Sequence, residues 1–243
     1  MKMLTFAKRC AKEILRDPLN LLFGLGFPVV LLLLLSAIQA NIPVSLFEIA
    51  QLTPGITVFG LSFLSLFSAT LISKDRSSSL LQRLYTTPLR AADFIMGYTL
   101  PMLPIAVVQA VICYIAALAL GLPFTGNFFL ALAGMLPVSL LYIALGLLCG
   151  STLNDKQVGG ICGALLTNVS AWLSGVWFDL ELVGGTFQKI ANALPFVHAV
   201  QMEQALLSGD YMNVFPHIWW VLGYGVVLQA AAVLLFLRQM KKQ

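Results

Sequence analysis

The sequence predicts an all-α polytopic membrane protein: six transmembrane helices, both termini cytoplasmic, an amphipathic N-terminal interfacial helix, and short outer helices between spans 5 and 6. Three observations carry this expectation. Of the 243 residues, 59% are hydrophobic and 10% charged, against roughly 25% charged in an ordinary soluble domain. No Asp, Glu, Lys or Arg lies between Asp93 and Asp155, a stretch with room for two crossings of about 20 residues each. Thirteen of the 14 Lys and Arg fall on one side of the predicted spans, with only Lys189 on the other, and such an excess marks the cytoplasmic face.

The elements follow in chain order. Residues 1–17 set Met3, Phe6, Ala7, Cys10, Ala11 and Ile14 at helical spacing opposite Lys2, Lys8, Arg9, Lys12 and Arg16. This suits a helix lying in the inner interface, with a solvated basic tail as the plainer alternative. Six apolar runs come next, at about Leu21–Ile38, Gln51–Ser73, Ile95–Leu120, Phe128–Gly150, Val158–Phe178 and Pro216–Leu237. Asn41-Ile42-Pro43, Gly121-Leu122-Pro123 and Ser208-Gly209-Asp210 punctuate them. Pro28, Pro101, Pro104 and Pro137 kink their helices rather than end them, because neighbouring helices can satisfy the freed carbonyls. Trp177, Phe178, Trp219 and Trp220 fall at outer ends, where amphipathic rings prefer the interface. The outer segment 179–215 is apolar for a loop. Phe187, Ile190, Ala191 and Leu194 make one helical face, Pro195 interrupts it, and His198–Leu207 makes a second helix; an ordinary surface hairpin is the alternative. The whole chain, 1–243, reads as a single membrane domain.

Several classes are excluded. Disorder does not fit the apolar content. The four cysteines lie in the basic N-terminus or inside apolar runs, which argues against a secreted disulfide scaffold. Continuous runs do not suit an alternating outer-membrane barrel. Nucleic acid is not an expected partner, because the basic residues sit beside membrane segments. The N-terminus is a poor cleavable signal: its charged region includes Glu13 and reaches Asp17, and Ala37-Ile38-Gln39-Ala40 is a weak cleavage site.

No phosphate-binding G-x-x-x-x-G-K-[ST] loop and no H-E-x-x-H occurs, so neither nucleotide hydrolysis nor metal catalysis is expected in this chain. The spans as bounded hold no Asp, Glu, Lys or Arg, which argues against a self-powered ion-coupled transporter. His198 and His217, near the outer face, suit capping or interfacial hydrogen bonding better than catalysis. Energy is expected to arrive from a partner.

The loop 74–93 is the most informative segment. A serine start can cap a helix. Leu80, Leu81 and Leu84 then form a small apolar face, and Thr87-Pro88 ends it. Such a helix suits docking into a groove on a soluble partner; taken alone, it serves equally as an interfacial turn.

Asp75-Arg76, Ser79-Leu80-Leu81, Arg83-Leu84, Thr87-Pro88-Leu89 and Gly97 resemble the type 2 ABC exporter permeases, the membrane subunits of drug, polysaccharide and lipid exporters. So do Arg16-Asp17-Pro18, Ser174-Gly175-Val176-Trp177-Phe178 and Leu194-Pro195-Phe196-Val197-His198-Ala199. The resemblance covers nearly the whole chain. It departs at Ser79, where glycine is usual, and at Tyr98, where lysine is common.

The resemblance implies two membrane subunits, this chain and a second permease copy, working with two ABC ATP-binding subunits that bind ATP and Mg. It also implies coupling to the ATPase through Asp75, Arg76, Leu80, Leu81, Leu84, Thr87 and Pro88. The substrate path would run between the two halves along the first, second and fifth spans, where Ser62, Ser65, Thr167, Asn168, Ser170 and Trp172 are the polar or amphipathic candidates. Hydrogen bonding within or between helices is the plainer reading of each. Two G-x-x-x-G matches, Gly146–Gly150 and Gly159–Gly163, could permit close helix approach. The functional expectation is an ATP-driven exporter of an amphiphilic substrate in a bacterial cytoplasmic membrane. The alternative is a non-transport membrane scaffold or sensor.

Overall fold

The computed structural model describes residues 2–43, 45–78, 80–81 and 90–241, which are helical with short connections and contain no strand. In order they form α1 (Lys2–Leu15), α2 (Pro18–Gln39), α3 (Ile49–Ser77), α4 (Ala91–Ala119), α5 (Asn127–Thr152), α6 (residues 155–173), α7 (Leu180–Val183), α8 (Gly185–Ala193), α9 (Pro195–Ser208) and α10 (Tyr211–Lys241). Among the described residues five helices are long and apolar enough to cross a membrane: Pro18–Gln39, Ile49–Ser77, Ala91–Ala119, Asn127–Thr152 and Tyr211–Arg238.

The apolar run expected at Val158–Phe178 folds differently from the other five. Asn154 caps α6, its side chain accepting from the Gln157 amide, so Asp155, Lys156 and Gln157 take up the first turn. The helix is π-helical over Gly159–Leu166 and ends at Leu173, and Gly175, at φ +73°, turns the chain away. With Thr167, Asn168 and Ser170 in its second half, α6 has less continuous apolar length than its neighbours.

The outer segment also differs in detail. It holds three helices, α7 to α9, and Pro195 starts α9 instead of interrupting a helix. That position costs nothing, since the first-turn amide has no intrahelical partner.

α3 lies at the centre, packed on α5, α4 and α9, while α10 packs on α5 and α9. The α3–α5 approach brings backbone against backbone. A Cβ on Gly146 would sit within 2.8 Å of the Ser65 backbone, and one on Gly150 within 2.6 Å of the Ala69 carbonyl. Of the two G-x-x-x-G matches this one is a close helix contact. Gly159 has nothing within 4 Å, and Gly163 meets only the Leu66 side chain at 3.4 Å.

α1 does not leave its apolar face to the surroundings. Phe6, Ala7, Cys10 and Ile14 are buried against the bundle. Phe6 meets Phe94 and Tyr98 edge to face, with centroids 5.6 and 4.9 Å apart, and Gly97 makes room, since a Cβ there would lie 2.4 Å from the Phe6 ring. Leu4 and Leu15 remain exposed.

Candidate functional site

The sequence places Asp75-Arg76 in a loop; the structure places both in the last turns of α3, which continues to Ser77. The helix tolerates Asp75 because the charge is neutralised inside the protein. Asp75 is 1% exposed. Arg9 of α1 donates to both its oxygens, at 2.5 and 2.6 Å, and the Tyr98 hydroxyl of α4 donates to it at 2.8 Å. Tyr98 thus supplies a donor where the family resemblance leads one to expect lysine.

A bidentate guanidinium–carboxylate pair is both strong and directional. Its net worth against apolar packing is small, but deleting one partner strands a buried charge at a cost of about 3–5 kcal/mol. Burial alone would lower the Arg9 pKa, yet the hydrogen bonds and charge of Asp75 outweigh it and hold the guanidinium above its ordinary range. Arg9 also pairs with Glu13 at 2.6 Å, whose carboxyl burial nevertheless shifts upward. Burial pushes the neighbouring Cys10 thiol up to about 12, against the opposing pull of Arg9; it is an inert core residue.

Arg76 points the other way. Its guanidinium donates to the Gly150 and Leu153 carbonyls at 2.9 and 3.2 Å, satisfying the C-terminal carbonyls of α5 where a cation also suits the helix dipole. Ser73 and Ser77 donate to Asp155 at the start of α6, the latter at 3.3 Å. The last two turns of α3 therefore hold α1, α4, α5 and α6 together.

Of the apolar face expected on that segment, Leu81 is 2% exposed and joins the main core, while Leu80 is half-buried. Leu81 thus anchors the segment to the bundle. Leu84, Thr87 and Pro88 lie outside the described residues. Sequence reading missed Arg9, Tyr98, Ser73 and Asp155 as members of this cluster. The only signal was a buried-length helix carrying an acid opposite a basic N-terminal face.

The six path candidates separate. Ser65 donates to the Tyr142 carbonyl at 2.5 Å, Thr167 to Cys162 at 2.9 Å and Ser170 to Thr167 at 2.9 Å, all inside the chain. The Ser62 hydroxyl is buried without a hydrogen-bond partner among the described residues. Only Asn168 and Trp172, one turn apart on α6, lie on an exposed face.

At the opposite end of the bundle, a cavity of about 740 Å³ opens between residues 45–47, the 174–182 turn, α8 and α9, lined by Gln51, Trp177, Asp179, Gln188, Asn192 and Gln204 among others. His198 bridges this end. Its Nε2 lies 2.9 Å from the Asn192 carbonyl, so it carries the proton there, and its Nδ1 accepts from Nδ1 of His217 at 2.8 Å. Both histidines serve as hydrogen-bonding links between helices.

A helical bundle with five apolar spanning-length helices, its Lys and Arg gathered almost entirely at one end, defines a multi-pass membrane protein. The ABC-2 type transporter family matches residues 1–207, and the chain belongs to that family, whose membrane domain is a transporter component and not itself catalytic. It is also similar to "ABC transporter G family member 20" of Dictyostelium discoideum, 28% identical over 192 residues that cover 76% of this chain and 26% of the relative. The chain spans about a quarter of that relative's length.

Proposed function

We propose that this chain is the membrane subunit of an ATP-driven ABC exporter in a bacterial cytoplasmic membrane, moving an amphiphilic substrate outward. It crosses six times with both termini inside. α6 is the fifth crossing in chain order. Beyond its charged first turn, residues 158–173 extend about 24 Å at 1.5 Å per residue, and Val176, Trp177 and Phe178 continue the apolar run toward the about 30 Å of a hydrocarbon core. Its partners are a separate ATP-binding subunit, which holds ATP and Mg, a second permease copy, and the bilayer. Of the six path candidates, Asn168 and Trp172 lie on the open face of α6, where a substrate moving along it would meet them first.

The observation that carries the reading is the clamp at Asp75 and Arg76. A segment fixed at one end to four other helices is suited to pass a push from a soluble motor into the bundle. In this reading Asp75 and Arg76 transmit, Leu81 anchors, and the ATPase contacts come from Leu80, Leu84 and the Thr87-Pro88 end.

Leu84→Asp tests it. The variant should reach the membrane at normal level, fail to retain an ATPase on purification, and lose export, since an unpaired carboxylate against an apolar groove costs several kcal/mol, at least about 2. Leu81→Asp should instead lower the amount of folded protein. Normal export by Leu84→Asp removes the segment from the coupling role. An impermeant thiol reagent on intact cells checks the orientation: in a background without the native cysteines, Ser208→Cys should label and Ser77→Cys should not.

A further inference from the structure

Where α1 turns into α2, a second cavity of about 330 Å³ opens beside α3, within the size range of roughly 300–1,000 Å³ typical of small-ligand sites. Its walls divide by chemistry. Ile14, Leu19, Phe67 and Leu71 make an apolar floor, and Arg16, Lys74, Glu13 and Asp17 make a charged rim. The four formal charges cancel, but their pairings do not. Glu13 is taken by Arg9 at 2.6 Å. Asp17 caps α2, accepting from the Asn20 amide at 3.2 Å and from its side chain at 2.8 Å. Lys74 stands 3.8 Å from Asp17 with half its side chain exposed. Among the described residues the Arg16 guanidinium has no ion pair and no side-chain hydrogen bond. The acids on this rim are engaged, and the two cations retain free donors.

The surroundings say what reaches the cavity. Leu15, Leu19 and Leu22 are exposed around it, at 67%, 67% and 64%, on a helix pair whose other residues carry the chain from a basic amphipathic segment into an apolar span. An occupant must offer an anionic oxygen to Arg16 and Lys74 while laying hydrocarbon over Phe67 and Leu71. We infer that this cavity binds the phosphodiester head group of a membrane phospholipid, its acyl chains running outward along α2 and α3. The ligand bridges α1 and α3, the two elements that the Arg9–Asp75 pair also joins. The site rests on the membrane reading of α1 but is independent of the ATPase partner.

The test uses the full chain purified in neutral detergent and follows thermal unfolding against added short-chain ligand. Dioctanoyl phosphatidylglycerol should give a saturable upward shift. Dioctanoylglycerol, which lacks the phosphate, and glycerol 3-phosphate, which lacks the chains, should give none at the same concentrations. Arg16→Gln with Lys74→Gln should raise the half-saturating concentration by about tenfold or more, as expected for losing charge-assisted bonds. Lys8→Gln with Lys12→Gln removes the same charge from the exposed face of α1 and should change it by less than about twofold. Thr70→Phe, which fills the cavity while keeping both cations, should abolish the shift. Equal binding of dioctanoylglycerol reduces the site to apolar adsorption. Equal binding of glycerol 3-phosphate makes it a soluble-phosphate site, and equal weakening by the Lys8 and Lys12 changes makes it a general basic surface. Each of these results overturns the inference. None involves ATPase retention, so failure here leaves the exporter reading standing.

Discussion

α3 and α10 have nearly the same mean hydropathy over their most apolar stretches, 1.9 and 2.1, yet 89% of the first is buried inside the protein and 17% of the second. In water such a difference would be read from the residues, because an exposed apolar face is penalised. In a bilayer the penalty vanishes, since lipid tails are as apolar as leucine, and helix association depends on close packing and polar contacts instead. What separates the two helices is therefore what their neighbours present. α5 offers α3 a glycine face, through Gly146 and Gly150, that lets backbones touch. α10 carries Gly223 with nothing within 4 Å of its Cβ direction.

The comparison breaks most easily at the glycine contact. Gly146→Leu drives a side chain into the Ser65 carbonyl, 2.3 Å from where the Cβ would sit, and backbone cannot yield as a side chain can. The expected result is loss of monodisperse protein in detergent, or destabilisation of at least about 3 kcal/mol. If Gly146→Leu melts like the parent, α3 is not held by this contact.

The next effect belongs to the charged end of α3. Arg9→Met should destabilise by about 3 kcal/mol, because Asp75 is left buried and unpaired, whereas Arg9→Met with Asp75→Leu should recover most of that loss. Additive losses in thermal melts would mean that the two residues act separately. No lipid-facing position on α10 should show coupling of this kind.

A third test uses pH. Glu203 on α9 is completely buried, neither carboxyl oxygen has a hydrogen-bond partner among the described residues, and burial holds its pKa well above the ordinary carboxylate range. The folded state therefore binds this proton more tightly than the unfolded chain, where the pKa is about 4.3. The stability it contributes is complete below that value and is lost as pH rises toward the folded pKa. Melting temperatures should decline with pH across this window in the parent and decline less in Glu203→Gln. Superimposable slopes would mean that the carboxyl is ionised and paired in solution.

The smallest effect is expected on the lipid side. Gly223→Ala on α10 should change stability by no more than about 1 kcal/mol, in the favourable direction that helix propensity dictates. A large loss there would reveal a packed surface on α10.

Much of the candidate site was legible as composition and little as geometry. Asp75-Arg76 stood out in the sequence as an acid–base pair beside an apolar run, and it does lie at a junction. Its partners are 66 and 74 residues away for Arg9 and Gly150, separations that no local periodicity encodes. The amphipathic face of α1 was visible, but whether it met lipid or protein depended on Gly97, which admits the Phe6 ring. Glu203 falls within the helix expected over His198–Leu207, and nothing in its spacing marks it as buried. The packing of α9 against α10, α5 and α3 buries it. For Ser65, Thr167 and Ser170 hydrogen bonding was the plainer reading of the residue type, and each does donate to a main-chain carbonyl.

The sequence by itself determined the solvent, the helical class and the end at which Lys and Arg collect, because these depend on composition and on apolar run lengths that a single helix satisfies alone. It also carried the family, through an ordered set of short motifs along the chain. Tertiary structure decided which apolar helix became the core, where the fifth run ended, and which buried charges found partners. Those outcomes depend on distances between helices far apart in sequence. Hydropathy, which assigns α3 and α10 nearly the same value, does not distinguish them.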